Sequence, residues 1–168
     1  MTFRACVLTV STKGARGERV DESGEKISEA LARVPCEIVG RAIVSDELDD
    51  IQRQIRDWLR ATDPDLIVLT GGTGLGPRDV TPQALEPLLD YPVPGIAEAM
   101  RAAGLQKTPH AMLSRSIAGV IGKTLVLALP GSPRGVADSL EAVMEALPHG
   151  LRTLRGEVGD APAAHRPS

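Results

Sequence analysis

Aromatic side chains are almost missing: the 168 residues include one Phe, one Tyr and one Trp, 2% of the chain. The core must therefore be aliphatic, and the stacking platforms that read single-stranded nucleic acids are excluded. Cysteine is nearly as scarce. Cys6 and Cys36 are too few for a disulfide framework or a zinc site. Both lie in apolar, strand-like runs and read as small buried hydrophobes in a reducing compartment. The net charge of −3 leaves no basic footprint for nucleic acid. No apolar run is long enough to span a membrane. Residues 1–5 carry no apolar signal core, so a soluble, cytoplasmic protein without membrane or nucleic-acid partners is expected. No histidine occurs before His110, and neither cysteine falls in a loop that follows a strand. Ser-His and Cys-His nucleophile systems are thereby disfavoured. His110 reads as a surface or packing histidine, and His149 and His165 as incidental.

What the chain does have is aliphatic content and glycine. Hydrophobic residues make up 42%, and the length suits one domain with a sizeable core, expected over 1–155. The organising stretch is 66–82. Four apolar residues, suited to a strand buried on both faces, run into Gly71, Gly72, Gly74 and Gly76. Arg78 and Asp79 follow, then Thr81-Pro82 as a capping hydroxyl and a first-turn proline. Strand, glycine loop and helix start in this order present backbone N–H groups to an anion. The stretch is neither a P-loop, for it lacks the lysine, nor the dinucleotide fingerprint, because Pro77 stands at the third glycine.

Along the chain, residues 3–10 read as a strand ending at Ser11-Thr12-Lys13, and 14–21 as a polar loop. A helix through about Ala32 follows, capped by Asp21 or Ser23. A second strand, 36–44, leads to Ser45-Asp46-Glu47 and a helix from about 48 to 61, capped by Ser45 or Asp46. With the strand at 66, the pattern is β-α-β-α-β, which predicts a parallel sheet with right-handed crossovers. Beyond the glycine loop, helices are expected at 83–89 and 96–103. Residues 111–116 are ambiguous between a helical turn and an extended segment. A hairpin, 117–121 and 124–129, turns at Gly122-Lys123 and makes the sheet mixed. One helix from about 135 to 151 should be kinked or ended by Pro148, and the tail 156–168 is expected to be disordered.

If the strands are parallel, four polar loops meet at one edge, where open α/β sheets bind ligands. They are Ser11-Thr12-Lys13, Ser45-Asp46-Glu47, residues 70–79 and 130–134. Their inventory is carboxylates (Asp46, Asp79), hydroxyls, Arg78 and backbone amides. That set suits phosphoryl or nucleotidyl transfer, which rests on positioning and charge neutralisation with Mg²⁺. Asp46 and Asp79 would orient Mg²⁺ and the reacting phosphates, and the amides of 71–74 would hold an anionic group. Arg78 would offset charge or form a surface ion pair.

These residues resemble a known family. Leu69-Thr70-Gly71-Gly72-Thr73-Gly74, continued by Pro77-Arg78-Asp79-Val80-Thr81-Pro82, is similar to the signature loop of the MogA/MoaB molybdenum-cofactor biosynthesis proteins and of the gephyrin G domain. Thr9-Val10-Ser11, Asp21-x-Ser23-Gly24, Val44-x-Asp46-Glu47, Ala111-Met112-Leu113-Ser114-Arg115-Ser116 and Leu129-Pro130-Gly131-Ser132-Pro133 extend the resemblance over roughly 4–154. It implies a three-layer α/β/α fold around a mostly parallel sheet, with an antiparallel edge, assembled as a trimer. It also implies a molybdopterin adenylyltransferase, which joins AMP from Mg-ATP to the terminal phosphate of molybdopterin and releases pyrophosphate. A molybdenum-insertion protein would be the downstream partner. Catalytic and Mg²⁺-holding roles fall on Asp46 and Asp79. The implied substrate-binding set is Ser11, Asp21, Ser23, Gly24, Gly71, Gly72, Thr73, Gly74, Arg78, Thr81, Ser114, Pro130, Gly131, Ser132 and Pro133. The alternatives are a non-catalytic MoaB-type protein that binds a pterin or nucleotide, and a trimeric scaffold. Thr12 stands where many members carry Asp, which puts a metal or ligand contact at that loop in doubt. Ser132 and Arg134 stand where Asn or Gln and Lys are frequent, a mild change.

Overall fold

The computed structural model describes residues 2–158. Its centre is a six-stranded sheet of order β2-β1-β3-β6-β5-β4. The strands are β1 (Phe3–Val10), β2 (Cys36–Val44), β3 (Leu66–Thr70), β4 (Tyr91–Pro92), β5 (Ala118–Ile121) and β6 (Thr124–Leu129). β1 pairs in parallel with β2 and β3, and β3 in parallel with β6. β5 is antiparallel to β6, and the short edge strand β4 antiparallel to β5.

Alternation along the strands sends side chains to two faces, and each face has its own aliphatic core. Ala5, Val7, Leu66, Val68, Leu125 and Leu127 pack on one side with Ile27, Leu31, Met100, Leu140 and Leu151. Cys6, Leu8, Ile67, Leu69 and Val126 pack on the other with Ile51, Ile55 and Trp58. The first face is covered by α2 (Glu22–Leu31), α5 (Pro94–Leu105), α6 (Pro133–Val143) and α7 (Leu147–Arg155). The second is covered by α3 (Leu48–Ala61) and α4 (Thr81–Leu85). This is the expected three-layer α/β/α arrangement. Cys6 is fully buried, and Cys36, half-buried beside Asp65, has its thiol pushed up to about 11 by burial and then by that carboxylate. Both are inert packing residues.

Several local expectations change. Thr12–Ala15 forms a short helix, α1, where a loop was expected, because the Ser11 side chain caps it by accepting from Gly14 N. Neither Ser45 nor Asp46 caps α3. Ser45 donates to Asp50 Oδ2, and Asp46 is held by Thr12. The hydroxyl of Thr81 caps nothing; it is buried and donates to Gly71 O at 2.7 Å. The helix expected at 83–89 begins earlier and finishes as a 3-10 turn, Glu86–Leu88. Residues 109–113 are a 3-10 turn and Ser114 leaves it extended, so the ambiguous segment 111–116 is a helical turn only in its first half. Pro148 does not end a helix. The chain breaks after Val143, and Pro148 lies in the first turn of α7, where its missing N–H costs nothing. Gly122 has φ +60°, as a primed hairpin turn requires. Gly156 closes α7 at φ +75°. The tail expectation from 159 onward lies outside the described residues.

One ion pair ties the last helix to the sheet. Arg155 on α7 donates from Nε and a terminal nitrogen to the two Asp65 oxygens, each at 2.6 Å, and stacks 4.7 Å from the Phe3 ring centroid. Burial raises the Asp65 carboxyl, but Arg155 and the Arg4 amide outweigh it, so the net displacement is downward. The unfolded chain therefore binds this proton at higher pH than the folded one. The contribution is complete above the ordinary aspartate range and is lost as pH falls through the depressed value. Asp65→Asn should lower stability at pH 7 by about 2 kcal/mol, or about 4–8 °C in Tm. It should also flatten the fall of Tm below about pH 4. Calorimetry across pH checks both; an unchanged acid limb would contradict the assignment.

Candidate functional site

Because β2, β1, β3 and β6 are parallel, the four polar loops that follow them leave at the same edge of the sheet. β3 leaves it through glycine. Gly71 and Gly72 have φ +95° and +68°. A Cβ on Gly71 would stand 2.4 Å from Val10 O, and one on Gly72 2.3 Å from Thr81 Oγ1. The backbone of this loop therefore runs against β1 and α4 with no room for a side chain. Gly74 and Gly76 do not have positive φ; a Cβ on either would meet Asp79 Oδ2 at 2.8 Å.

Hydroxyl groups join the loops. Thr70 Oγ1 donates to Pro130 O at 2.7 Å, Ser23 Oγ to Gly131 O at 2.6 Å and Thr73 Oγ1 to Leu129 O at 3.4 Å. Asp21 is the true cap of α2, accepting from Gly24 N at 2.9 Å. The same carboxylate accepts from Thr9 Oγ1 and is paired with Arg41. Ser132 caps α6 by accepting from Gly135 N.

Two cavities open between the loops, sharing Gly72, Gly131 and Ser132 as a common wall. The smaller, about 470 Å³, lies over the ends of β1, β2 and β3. It gathers Ser11, Asp21, Ser23, Asp46, Gly71, Arg78 and Pro133 from the expected set, with Lys13 and Arg19 as further cations. The larger, about 730 Å³, gathers Thr73, Gly74, Asp79, Ser114 and Pro130. Gly24 and Thr81 line neither; they serve the scaffold, Gly24 by receiving the Asp21 cap and Thr81 by holding Gly71.

The two carboxylates lie on different cavities. Asp46 Oδ2 accepts from Thr12 N at 2.8 Å and from Thr12 Oγ1 at 2.7 Å. The Thr12 oxygen in turn accepts from Asp46 N and from Arg78, each at 3.1 Å. Thr12 thus bridges the carboxylate and the guanidinium. Asp79 Oδ2 accepts from Gly76 N at 2.8 Å. Among the described residues no group of three or more His, Cys, Asp or Glu could cage a metal ion.

Arg101, Lys107 and Arg134 line the larger cavity, and of these cations Arg134 alone falls in one of the four expected loops. Arg101 donates to Ser114 O and Ser116 O, and Lys107 pairs with Asp138. Arg101 and Lys107 come from α5 and the turn after it, far from any strand end, so no motif pointed to them. His110, read as a surface or packing histidine, is exposed and lies on the rim of this cavity.

Known proteins carry the same frame. A family described as "Probable molybdopterin binding domain" matches residues 6–149. Gephyrin of Dictyostelium discoideum is 37% identical over 95% of this chain and 24% of its own length. The molybdopterin adenylyltransferase of Helicobacter pylori strain 26695 is 37% identical over 92% of this chain and 89% of its own. The crystal structure of the molybdopterin biosynthesis enzyme MoaB from Thermus thermophilus superposes with TM-score 0.87 at 52% identity, covering 92% of this chain and 98% of that one. The chain spans half or less of gephyrin and of the bifunctional cofactor-biosynthesis proteins that it also matches. With a match across most of its length and relatives that share its whole fold, this chain belongs to the molybdopterin-binding-domain family of molybdenum-cofactor biosynthesis proteins.

Proposed function

We propose that the chain is a molybdopterin adenylyltransferase. A phosphate oxygen of molybdopterin forms a bond to the α-phosphorus of ATP. The α–β bridging P–O bond breaks, and pyrophosphate leaves with the bonding electron pair. The observation that carries this reading is the pair of adjoining cavities with a shared wall at Gly72, Gly131 and Ser132. Two ligands seated one in each would bring reacting groups together at that wall, which is free of bulky side chains. Backbone amides of the loop and the cations on both cavities offset phosphate charge. The assigned binding set is the one expected from sequence, less Gly24 and Thr81.

A Mg²⁺ ion suits the donors present. Asp46 and Asp79 offer hard carboxylate oxygens, and Mg²⁺ commonly takes one or two carboxylates plus substrate phosphates rather than a protein cage. Each would hold an ion on its own cavity, Asp46 on the smaller and Asp79 on the larger, where it would neutralise phosphate charge. Thr12 keeps Asp46 in register with Arg78, so the charge of both faces the same cavity.

A second reading, a pterin or nucleotide binder without transfer, is favoured by the separation of Asp46 and Asp79 onto different cavities. Incubation with molybdopterin and Mg-ATP decides between them: pyrophosphate and adenylylated pterin are expected, and pterin binding without product would establish the binder. Asp46→Ala and Asp79→Ala should each reduce turnover at least about a hundredfold with the fold intact by circular dichroism. Full activity in either would remove that residue from the machinery. Thr12→Val deletes the bridge at near-constant volume. It should lower kcat about 5–30-fold, the equivalent of about 1–2 kcal/mol. The reading also takes the chain to be a cytoplasmic homotrimer. Leu75, Met112 and Leu113, exposed beside the larger cavity, would be covered by a neighbouring copy. Light scattering should give three times the monomer mass; a monomer at micromolar concentration overturns it.

A further inference from the structure

The loop between β3 and α4 carries Asp79, yet it belongs to no ladder or helix. From Thr73 to Asp79, two amides are closed locally: Gly76 N donates to Asp79 Oδ2 at 2.8 Å and Asp79 N to Gly76 O at 3.0 Å. The carbonyls at the two ends need donors from elsewhere. One residue supplies them. Arg115 N donates to Thr73 O at 2.8 Å, Arg115 Nε to Gly74 O at 2.8 Å, and a terminal guanidinium nitrogen to Asp79 O at 2.6 Å. Three bonds from a single half-buried residue thus hold both ends of a loop that makes the wall of one cavity.

Arg115 forms no ion pair among the described residues, and it lines neither cavity. Its charge is spent on carbonyl dipoles. The planar fork matters here, because Nε and a terminal nitrogen are fixed relative to one another and reach two carbonyls five residues apart in sequence. An ammonium on a flexible stem could serve one of them but has no such geometry for both. The Arg115 backbone is itself braced. Arg101 of α5 donates to the carbonyls on either side of it, Ser114 O at 3.3 Å and Ser116 O at 2.8 Å. The Ser114 and Ser116 hydroxyls are bonded to each other at 2.9 Å.

We propose that Arg115 is the positioning residue for Asp79: it sets the 73–79 loop so that the carboxylate stands on the cavity wall, without touching a ligand itself. The activity readout rests on the adenylyl-transfer reading above; the loop readout does not.

The test compares the wild-type chain with Arg115→Ala and Arg115→Lys by amide hydrogen exchange and by adenylyl-transfer kinetics. In Arg115→Ala, exchange at the bonded loop amides of Gly76 and Asp79 should quicken at least tenfold while the amides of β1, β3 and β6 keep their wild-type rates. kcat should fall at least tenfold, with KM for ATP changing less than threefold. Arg115→Lys should recover part of both, and Arg115→Ala added to Asp79→Ala should lower the residual rate less than twofold further. Unchanged exchange in the loop overturns the proposal. So does quickened exchange across the whole sheet, which marks a general structural role. If Arg115→Ala does not fold, Arg115→Lys carries the same comparison, and wild-type exchange and kcat in that variant overturn it. A wild-type chain with no transferase activity would defeat the functional reading while the exchange result still decides the role of Arg115.

Discussion

β3 has no free side. Leu66–Thr70 is buried at every residue, hydrogen-bonded to β1 along one edge and β6 along the other, with alternate side chains in the two aliphatic cores. A strand held this way fixes where its chain leaves the sheet. Thr70 ends between Thr9 and Leu129, in register with both. The next residue has to pass against Val10 O, closer than any Cβ allows. Glycine at 71 is therefore a consequence of burying β3 centrally in a parallel sheet. The loop that follows has to find its hydrogen bonds from neighbouring loops, because no strand continues beside it.

Those neighbours explain how the edge is held. A chain so poor in aromatics has no large planar groups with which to wedge loops together, and hydroxyls take that role. Thr70 to Pro130, Ser23 to Gly131, Thr81 to Gly71 and Thr9 to Asp21 each cross from one loop or element to another. All but Asp21 accept through a backbone carbonyl, so the cross-links orient backbone and leave amides of the glycine loop to line the cavities. Several residues of the proposed binding set also fasten the wall. Asp21 is the clearest: its carboxylate is occupied by a helix cap, a hydroxyl and Arg41. Thr12 belongs with them. Its hydroxyl donates to the Asp46 carboxylate and accepts from Arg78, linking the two.

Much of the fold was legible residue by residue because its signals are local. Uninterrupted apolar runs at 66 and 124, helical spacing at Ile51, Ile55 and Trp58, and the turn at Gly122 each report their own element. The errors lie where a polar side chain could serve either a local cap or a distant partner. Ser45, Asp46 and Thr81 all satisfy the rule for a cap, yet each bonds elsewhere. The break after Val143 was missed because Pro148 is as compatible with a helix start as with a helix end.

By itself the sequence determined the order of the principal elements, though not α1, β4 or the division of α6 from α7, together with the parallel sheet and the edge at which its polar loops gather, since periodicity, glycine and proline act over a few residues. It also determined the family, through motifs dense enough to be specific. Only the tertiary structure decided which residues share a cavity. Asp46 and Asp79 look like one carboxylate pair in sequence, but the loops carry them to opposite sides of the wall formed by Gly72, Gly131 and Ser132. Two cations of the larger cavity, Arg101 and Lys107, arrive from α5 and the turn after it, and the bonds that hold the glycine loop arrive from Arg115. These are contacts between residues tens of positions apart. They depend on helix packing and loop paths that no local pattern records.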